Sequence, residues 1–158
     1  MRKSLRTMEF TGRYRGLTRA SAAVVFAGVL LATTAPVASA AGSYYVTNQN
    51  VGTYLDSNSA GDVYTLTYSG SPNQTWRIAG GKFTNLGTRL CLASDGKSVI
   101  TEYCINTTRQ QWTSDSTTKK WVRWNGTDKC LHSTGDKGAP VGLMPCGGQA
   151  SRWRFEPM

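Results

Sequence analysis

The apolar positions of this chain follow one pattern three times. From residue 42 onward, short runs rich in Val, Thr, Tyr and Trp alternate with clusters of Gly, Asn, Ser and Asp, and almost nothing reads as helix. A leucine and a tryptophan return together along these runs. Leu55 precedes Trp76 by 21 residues, Leu92 precedes Trp112 by 20, and Leu131 precedes Trp153 by 22. Val46, Phe83 and Val122 each stand nine residues before the leucine, and Val63, Val99 and Val141 follow it. Each unit therefore reads as four short strands: a first piece at 45–47, 82–84 or 121–123, then the leucine strand, the valine strand after a Gly- and Asp-rich turn, and the tryptophan strand.

Successive leucines are 37 and 39 residues apart. Units of this size seldom bury an apolar side alone, so three of them at a nearly fixed period imply one shared core. The expectation is an all-β fold of twelve strands with pseudo-threefold symmetry, in units of about 44–80, 81–118 and 119–158. Trp76, Trp112 and Trp153 are its expected core. The last unit is expected to run to the C-terminus without a linker or tail.

The first 40 residues have a different character. Six basic residues lead into an apolar run from Ala22 to Ala32, and Ala38-Ser39-Ala40 then supplies small residues before Ala41. Eleven apolar residues are too few to cross a bilayer, so 1–40 is expected to be a signal peptide rather than a membrane span. Export changes the charge argument. The chain carries a formal +9, of which the leader holds +5, leaving +4 scattered without blocks over 41–158. That is a solvated surface, and nucleic-acid binding is excluded as an expectation.

All four cysteines lie in the exported part, which reads as a disulfide framework in a secreted, extracellular domain. Four cysteines permit three pairings, and the repeat alignment favours the pairs within repeats. Cys91 and Cys130 each directly precede the anchor leucine, while Cys104 and Cys146 lie eight and seven residues before the tryptophan. Cys91–Cys104 and Cys130–Cys146 are therefore expected. Tyr54 and Tyr68 stand at the matching places in the first unit, where an aromatic contact replaces the bond. The cysteine spacings contain no paired C-x₂₋₄-C clusters, so neither zinc nor any other metal or cofactor is predicted.

A cysteine followed by an aliphatic residue, a polar turn, a valine strand and Gln-x-Trp, in threefold register, resembles the ricin B-type β-trefoil lectins. The last element stands as Gln74-Thr75-Trp76 and Gln110-Gln111-Trp112, and is degraded to Ser151-Arg152-Trp153. The first unit is similar to the repeats of mannose-binding members, which follow Leu-Asp-Ser-Asn-x-x-Gly-x-Val-Tyr-Thr-Leu-x-x-Asn-x-Gly-x-x-Gln-x-Trp. Leu55, Asp56, Ser57, Asn58, Gly61, Val63, Tyr64, Thr65, Leu66, Gln74 and Trp76 match; Ser69 replaces Asn and Ser71 replaces Gly. The resemblance implies a β-trefoil over 44–158. It also implies a pocket of Asp56, Tyr64, Leu66 and Ser69 that grips a terminal α-linked mannose; Asn58 is a further candidate contact, and Gln74 and Asn73 are expected to support the pocket.

The chemistry of these residue types agrees. An ionised carboxylate accepts two sugar hydroxyls in short, charge-assisted bonds, and a tyrosine offers both an apolar surface and a hydroxyl. Tyr64 and Leu66 are two apart on a strand and share a face; Asp56, one place beyond a core leucine, is expected to face outward toward them. The other units hold Ala93 and His132 at the Asp position, Ile100 and Gly142 at the Tyr position, and Glu102 and Met144 at the Leu66 position. One pocket is therefore expected, not three. Trp121 and Trp124 have no counterpart in the first unit and are a candidate second sugar platform.

Catalysis lacks its parts. His132 is the only histidine, and the eight acids of 41–158 form no cluster. The expected function is a secreted, non-catalytic lectin whose partners are glycans. The alternative is an interaction protein that inhibits an extracellular hydrolase through its loops, since two units lack the polar set.

Overall fold

The indole N–H of each anchor tryptophan donates to the carbonyl of the leucine in its own repeat, at 2.9 Å in all three: Trp76 to Leu55, Trp112 to Leu92 and Trp153 to Leu131. All six residues are essentially inaccessible to solvent, and with Val46, Phe83, Val122 and the three valines Val63, Val99 and Val141 they form one core. The bond explains why tryptophan recurs at this place. A buried indole needs an acceptor for its N–H, and the leucine carbonyl supplies one.

These features come from a computed structural model, which describes residues 41–114 and 121–158. The expected signal segment, 1–40, lies outside the described residues. Among the described residues the chain forms twelve short strands. The first repeat contains β1 (Gly42–Asn48), β2 (Tyr54–Ser57), β3 (Val63–Leu66) and β4 (Thr75–Ala79). The second contains β5 (Lys82–Asn85), β6 (Cys91–Ser94), β7 (Val99–Glu102) and β8 (Trp112–Ser114). The third contains β9 (Val122–Trp124), β10 (Lys129–His132), β11 (Gly142–Pro145) and β12 (Trp153–Pro157). A single 3₁₀ turn precedes each tryptophan strand, at Pro72–Gln74, Thr108–Gln110 and Gln149–Ser151. All strand pairs are antiparallel. β1 pairs with β12 and β4, β4 with β5, and β8 with β9, while β2–β3, β6–β7 and β10–β11 are hairpins. This is a β-trefoil.

The three hairpins meet around the pseudo-threefold axis and bond to one another. Thr101 N–H donates to Gly61 O at 2.8 Å, and Val141 N–H to Val63 O at 3.0 Å. Gly61 has φ 94°, and a Cβ there would stand 2.7 Å from Thr101 O, so only glycine permits this approach.

Disulfides join Cys91 to Cys104 and Cys130 to Cys146, each within a repeat. In the first repeat Tyr54 and Tyr68 occupy the corresponding places, with ring centroids 5.1 Å apart. Tyr45 completes the cluster, 5.3 Å from Tyr68 and 6.0 Å from Tyr54.

Candidate carbohydrate site

The β2–β3 register sets Asp56 directly opposite Tyr64, and Tyr54 directly opposite Leu66. Side chains two apart on a strand share a face, so these four stand on the same side of the hairpin. The structure thus brings together Asp56, Tyr64 and Leu66. Tyr54 joins the set, which the sequence reading did not include, although its place two residues before Asp56 is the signal for it.

Asp56 is not outward-facing as expected. It is buried, 3% exposed, and β2 is buried at three consecutive positions. Strand alternation says which face a side chain takes but not what lies over that face. Here the 3₁₀ turn Pro72–Gln74 packs on β2 and carries the fully buried Gln74 side chain over it. The consequence is electrostatic. Burial raises the Asp56 pKa above its ordinary 3.8, although Tyr64, Gln74 and the Ser57 backbone approach the carboxylate and favour the anion. Its Oδ1 atom is buried with no hydrogen-bond partner. Tyr64 is half-buried, and its hydroxyl is held protonated to higher pH than usual, first by burial and then by the Asp56 charge.

Gln74 organises the rim. Its Oε1 accepts from the Ser69 backbone N–H at 2.9 Å and from the Ser69 hydroxyl at 3.1 Å, and its Nε2 donates to Thr67 O at 2.9 Å. The loop after β3 is pinned by one side chain. Gln110 does the same in the second repeat, accepting from Ile105 N–H at 2.9 Å and donating to Tyr103 O at 2.7 Å. The third repeat has Ser151 instead, whose hydroxyl lies 3.3 Å from His132 Nδ1.

Asn58 has its side chain engaged in a turn. It closes the turn after β2, accepting from Asp62 N–H at 3.0 Å and donating from Nδ2 to Asp62 Oδ2 at 2.9 Å. Asn73 is a strut between repeats, its carbonyl accepting from Asn85 Nδ2 at 2.6 Å. Ser69 is exposed at the rim, but its hydroxyl is turned inward to Gln74 and also accepts from Ser71 N–H at 3.3 Å.

The equivalent faces of the other repeats are filled by different chemistry. Glu102 receives Gln110 Nε2 at 3.1 Å and forms an ion pair with Arg109 at 3.2 Å, beside the buried Ala93. Met144 is half exposed beside Gly142. Trp124 is half-buried against the core and borders a cavity of about 780 Å³ with Arg123, Asp128 and Lys129, whereas Trp121 borders a separate one of about 280 Å³. Both tryptophans are partly exposed.

Comparison with known proteins agrees with this architecture. The profile of the ricin-type β-trefoil lectin domain matches residues 42–136 and 79–158, two overlapping registers of one repeat pattern. Among curated proteins no sequence matches significantly. Among solved structures, the designed threefold-symmetric protein ThreeFoil superposes with a TM-score of 0.63 at 26% identity, over 74% of this chain and 99% of its own. The ricin B-like lectin of Macrolepiota procera, solved with lactose, gives 0.65 at 17% identity, over 76% of this chain and 98% of that one. The C-terminal half of an earthworm R-type lectin, solved with GalNAc, gives 0.64 at 17%, over 74% and 99%. With its tryptophan turns in threefold register and a matching profile over all the described residues but Ala41, the chain belongs to the ricin-type β-trefoil lectin family, a family of carbohydrate-binding proteins.

Proposed function

We propose that this protein is a secreted, non-catalytic lectin that holds the terminal sugar of a glycan on the first repeat, with α-linked mannose as the preferred unit. The observation that carries the reading is the buried Asp56 carboxylate oxygen without a partner, set in register against Tyr64. A buried acceptor left unpaired costs about 1–3 kcal/mol, more when charged, and a sugar hydroxyl admitted by a shift of the covering Gln74 side chain would satisfy it. Tyr64 and Leu66 give the sugar ring its apolar contact, and the loop pinned by Gln74 forms the rim. The two disulfides and the expected leader support secretion. Mannose follows from the match of the first repeat to mannose-binding members.

A second reading of the sugar has its own support. The relatives solved with lactose and GalNAc point to galactose-type units, which present the same kind of vicinal hydroxyls. Glycan-array binding of the protein beside Asp56→Ala decides between them. Signal on terminal α-mannose that disappears in a folded Asp56→Ala supports the proposal. Signal on galactosides alone corrects the sugar, and full binding by the variant removes the site from the first repeat.

A further inference from the structure

Three cationic side chains, Arg77, Lys82 and Arg89, border one cleft of about 620 Å³ on the outer side of the β4–β5 hairpin. The register places Arg77 opposite Thr84 and Ala79 opposite Lys82, so these side chains stand on one face, away from buried Trp76, Ile78 and Phe83. Exposed Leu86 adds an apolar wall. No acidic residue borders the cleft, and among the described residues none of the three cations has an ion-pair partner.

The internal symmetry shows that the fold does not require this cluster. At the place of Arg77 stand Thr113 and Arg154, the latter paired with Glu156 at 3.7 Å. Tyr45 and Trp121 stand at the place of Lys82, and Gly52 and Asp128, like Arg89, precede the anchor leucine by three residues. Arg89 is the more telling case. It has φ 63°, in the left-handed region that favours glycine, and its N–H closes the turn onto Asn85 O as Gly52 N–H does onto Asn48 O. Gly52, at φ 74°, is the residue this turn prefers. A charged side chain held in a glycine conformation, converging with two other unpaired cations, is an observation that turn geometry alone does not account for.

We infer that the β4–β5 face is a second glycan site, separate from the first repeat, which takes the oxyanion of an acidic polysaccharide, either a uronate carboxylate or a sulfate ester. Guanidinium groups match planar or tetrahedral oxyanions through forked donors, and the apolar wall gives the sugar ring a place to rest. The site rests on the chain being a lectin but not on the Asp56 reading, and the test keeps them apart.

Binding of the full chain carrying Asp56→Asn to dextran sulfate, polygalacturonate and uncharged dextran is measured at low and moderate salt. The expected result is binding to one or both acidic polymers and none to dextran, weakening as salt screens the charges. Polygalacturonate binding assigns the carboxylate; dextran sulfate alone assigns the sulfate ester. Arg77→Ser, Lys82→Ser and Arg89→Gly are each expected to weaken binding about threefold to fivefold, the scale of an exposed ion pair. Arg89→Gly should do so while melting no lower than the native protein, which a merely structural arginine would not give. Absence of binding to both acidic polymers, or affinity unchanged in the triple variant, overturns the inference. Equal binding of a DNA oligonucleotide overturns the assignment to glycans.

Discussion

The hydroxyls of Ser57 and Thr101 lie 2.7 Å apart, both buried, and join the first repeat to the second. Ser133 and Thr65 make the same link between the third repeat and the first, at 3.1 Å. The third link is missing. Leu143 stands where the threonine would be, and Ser94 turns its hydroxyl back to Ser98 O at 2.8 Å. Two polar stitches thus join the first hairpin to its neighbours beside the backbone bonds, and Leu143 packs against the core instead. Thr101→Val keeps the shape and removes one partner, so the buried Ser57 hydroxyl loses its short bond. The expected loss is about 1–2 kcal/mol in urea unfolding, with sugar binding unchanged. An unaltered midpoint would show that this hydroxyl pair contributes nothing net.

The cross-links of the three repeats differ in kind and should differ in strength. The Cys91–Cys104 bond closes a separation of 13 residues, worth roughly 3 kcal/mol in the chain-entropy account. The tyrosine cluster at the same place restricts the unfolded chain not at all, and an aromatic pair adds about 0.5–1.5 kcal/mol beyond its buried area. Replacing both Cys91 and Cys104 by serine should therefore destabilise the protein more than Tyr68→Ala, whose ring is already 57% exposed. Thermal unfolding of the two variants side by side checks the order. A reversed order would mean that the tyrosine cluster carries more of the first repeat than its exposure suggests.

How much of this was legible in the sequence depends on what kind of information each feature needs. Leu55 and Trp76 were visible because a period needs only comparison of the chain with itself. The hydrogen bond between them gives that period its physical cause. Tyr54 and Tyr68 could be paired by aligning them with Cys91 and Cys104. The depth of Asp56 could not be read, because its cover is a side chain 18 residues further on, at Gln74. Nor could the turn-closing bonds of Asn58 be read, since an asparagine that closes a turn and one that meets a ligand look alike in a motif. The Arg89 backbone conformation has no sequence signal at all, and only its alignment with Gly52 makes it conspicuous afterwards.

The raised pKa of Asp56 couples stability and binding in opposite directions. Because the folded-state value lies above the ordinary 3.8, the native protein holds this proton more tightly than the unfolded chain does. The contribution of the group to stability therefore falls as pH rises from about that value through the folded pKa, and stays lowered above it. Sugar hydroxyls prefer the anion, so binding should rise over the same window. Asp56→Asn removes the buried charge and is expected to melt at or above the native temperature at neutral pH while losing sugar binding. Calorimetry and binding across the acid range test both halves. A variant that melts well below the native protein would show that the carboxylate stabilises the fold.

Ser69 offers a test by gain rather than loss. Its hydroxyl donates to Gln74 Oε1 at 3.1 Å and accepts from Ser71 N–H at 3.3 Å, so both roles are used within the loop and little is left for a ligand. The mannose-binding repeats carry asparagine there, whose amide reaches further from the backbone and has two donors. The backbone N–H of residue 69 would still bond to Gln74, at 2.9 Å in the native protein, so the loop should keep its position. Ser69→Asn is then expected to add one hydrogen bond to the sugar, worth about 0.5–1.5 kcal/mol net, or roughly 2- to 12-fold in affinity for α-mannosides. Titration of methyl α-mannoside into both proteins measures it. Equal affinities would separate residue 69 from the sugar, and a gain for galactosides instead would assign the rim to a different hydroxyl pattern.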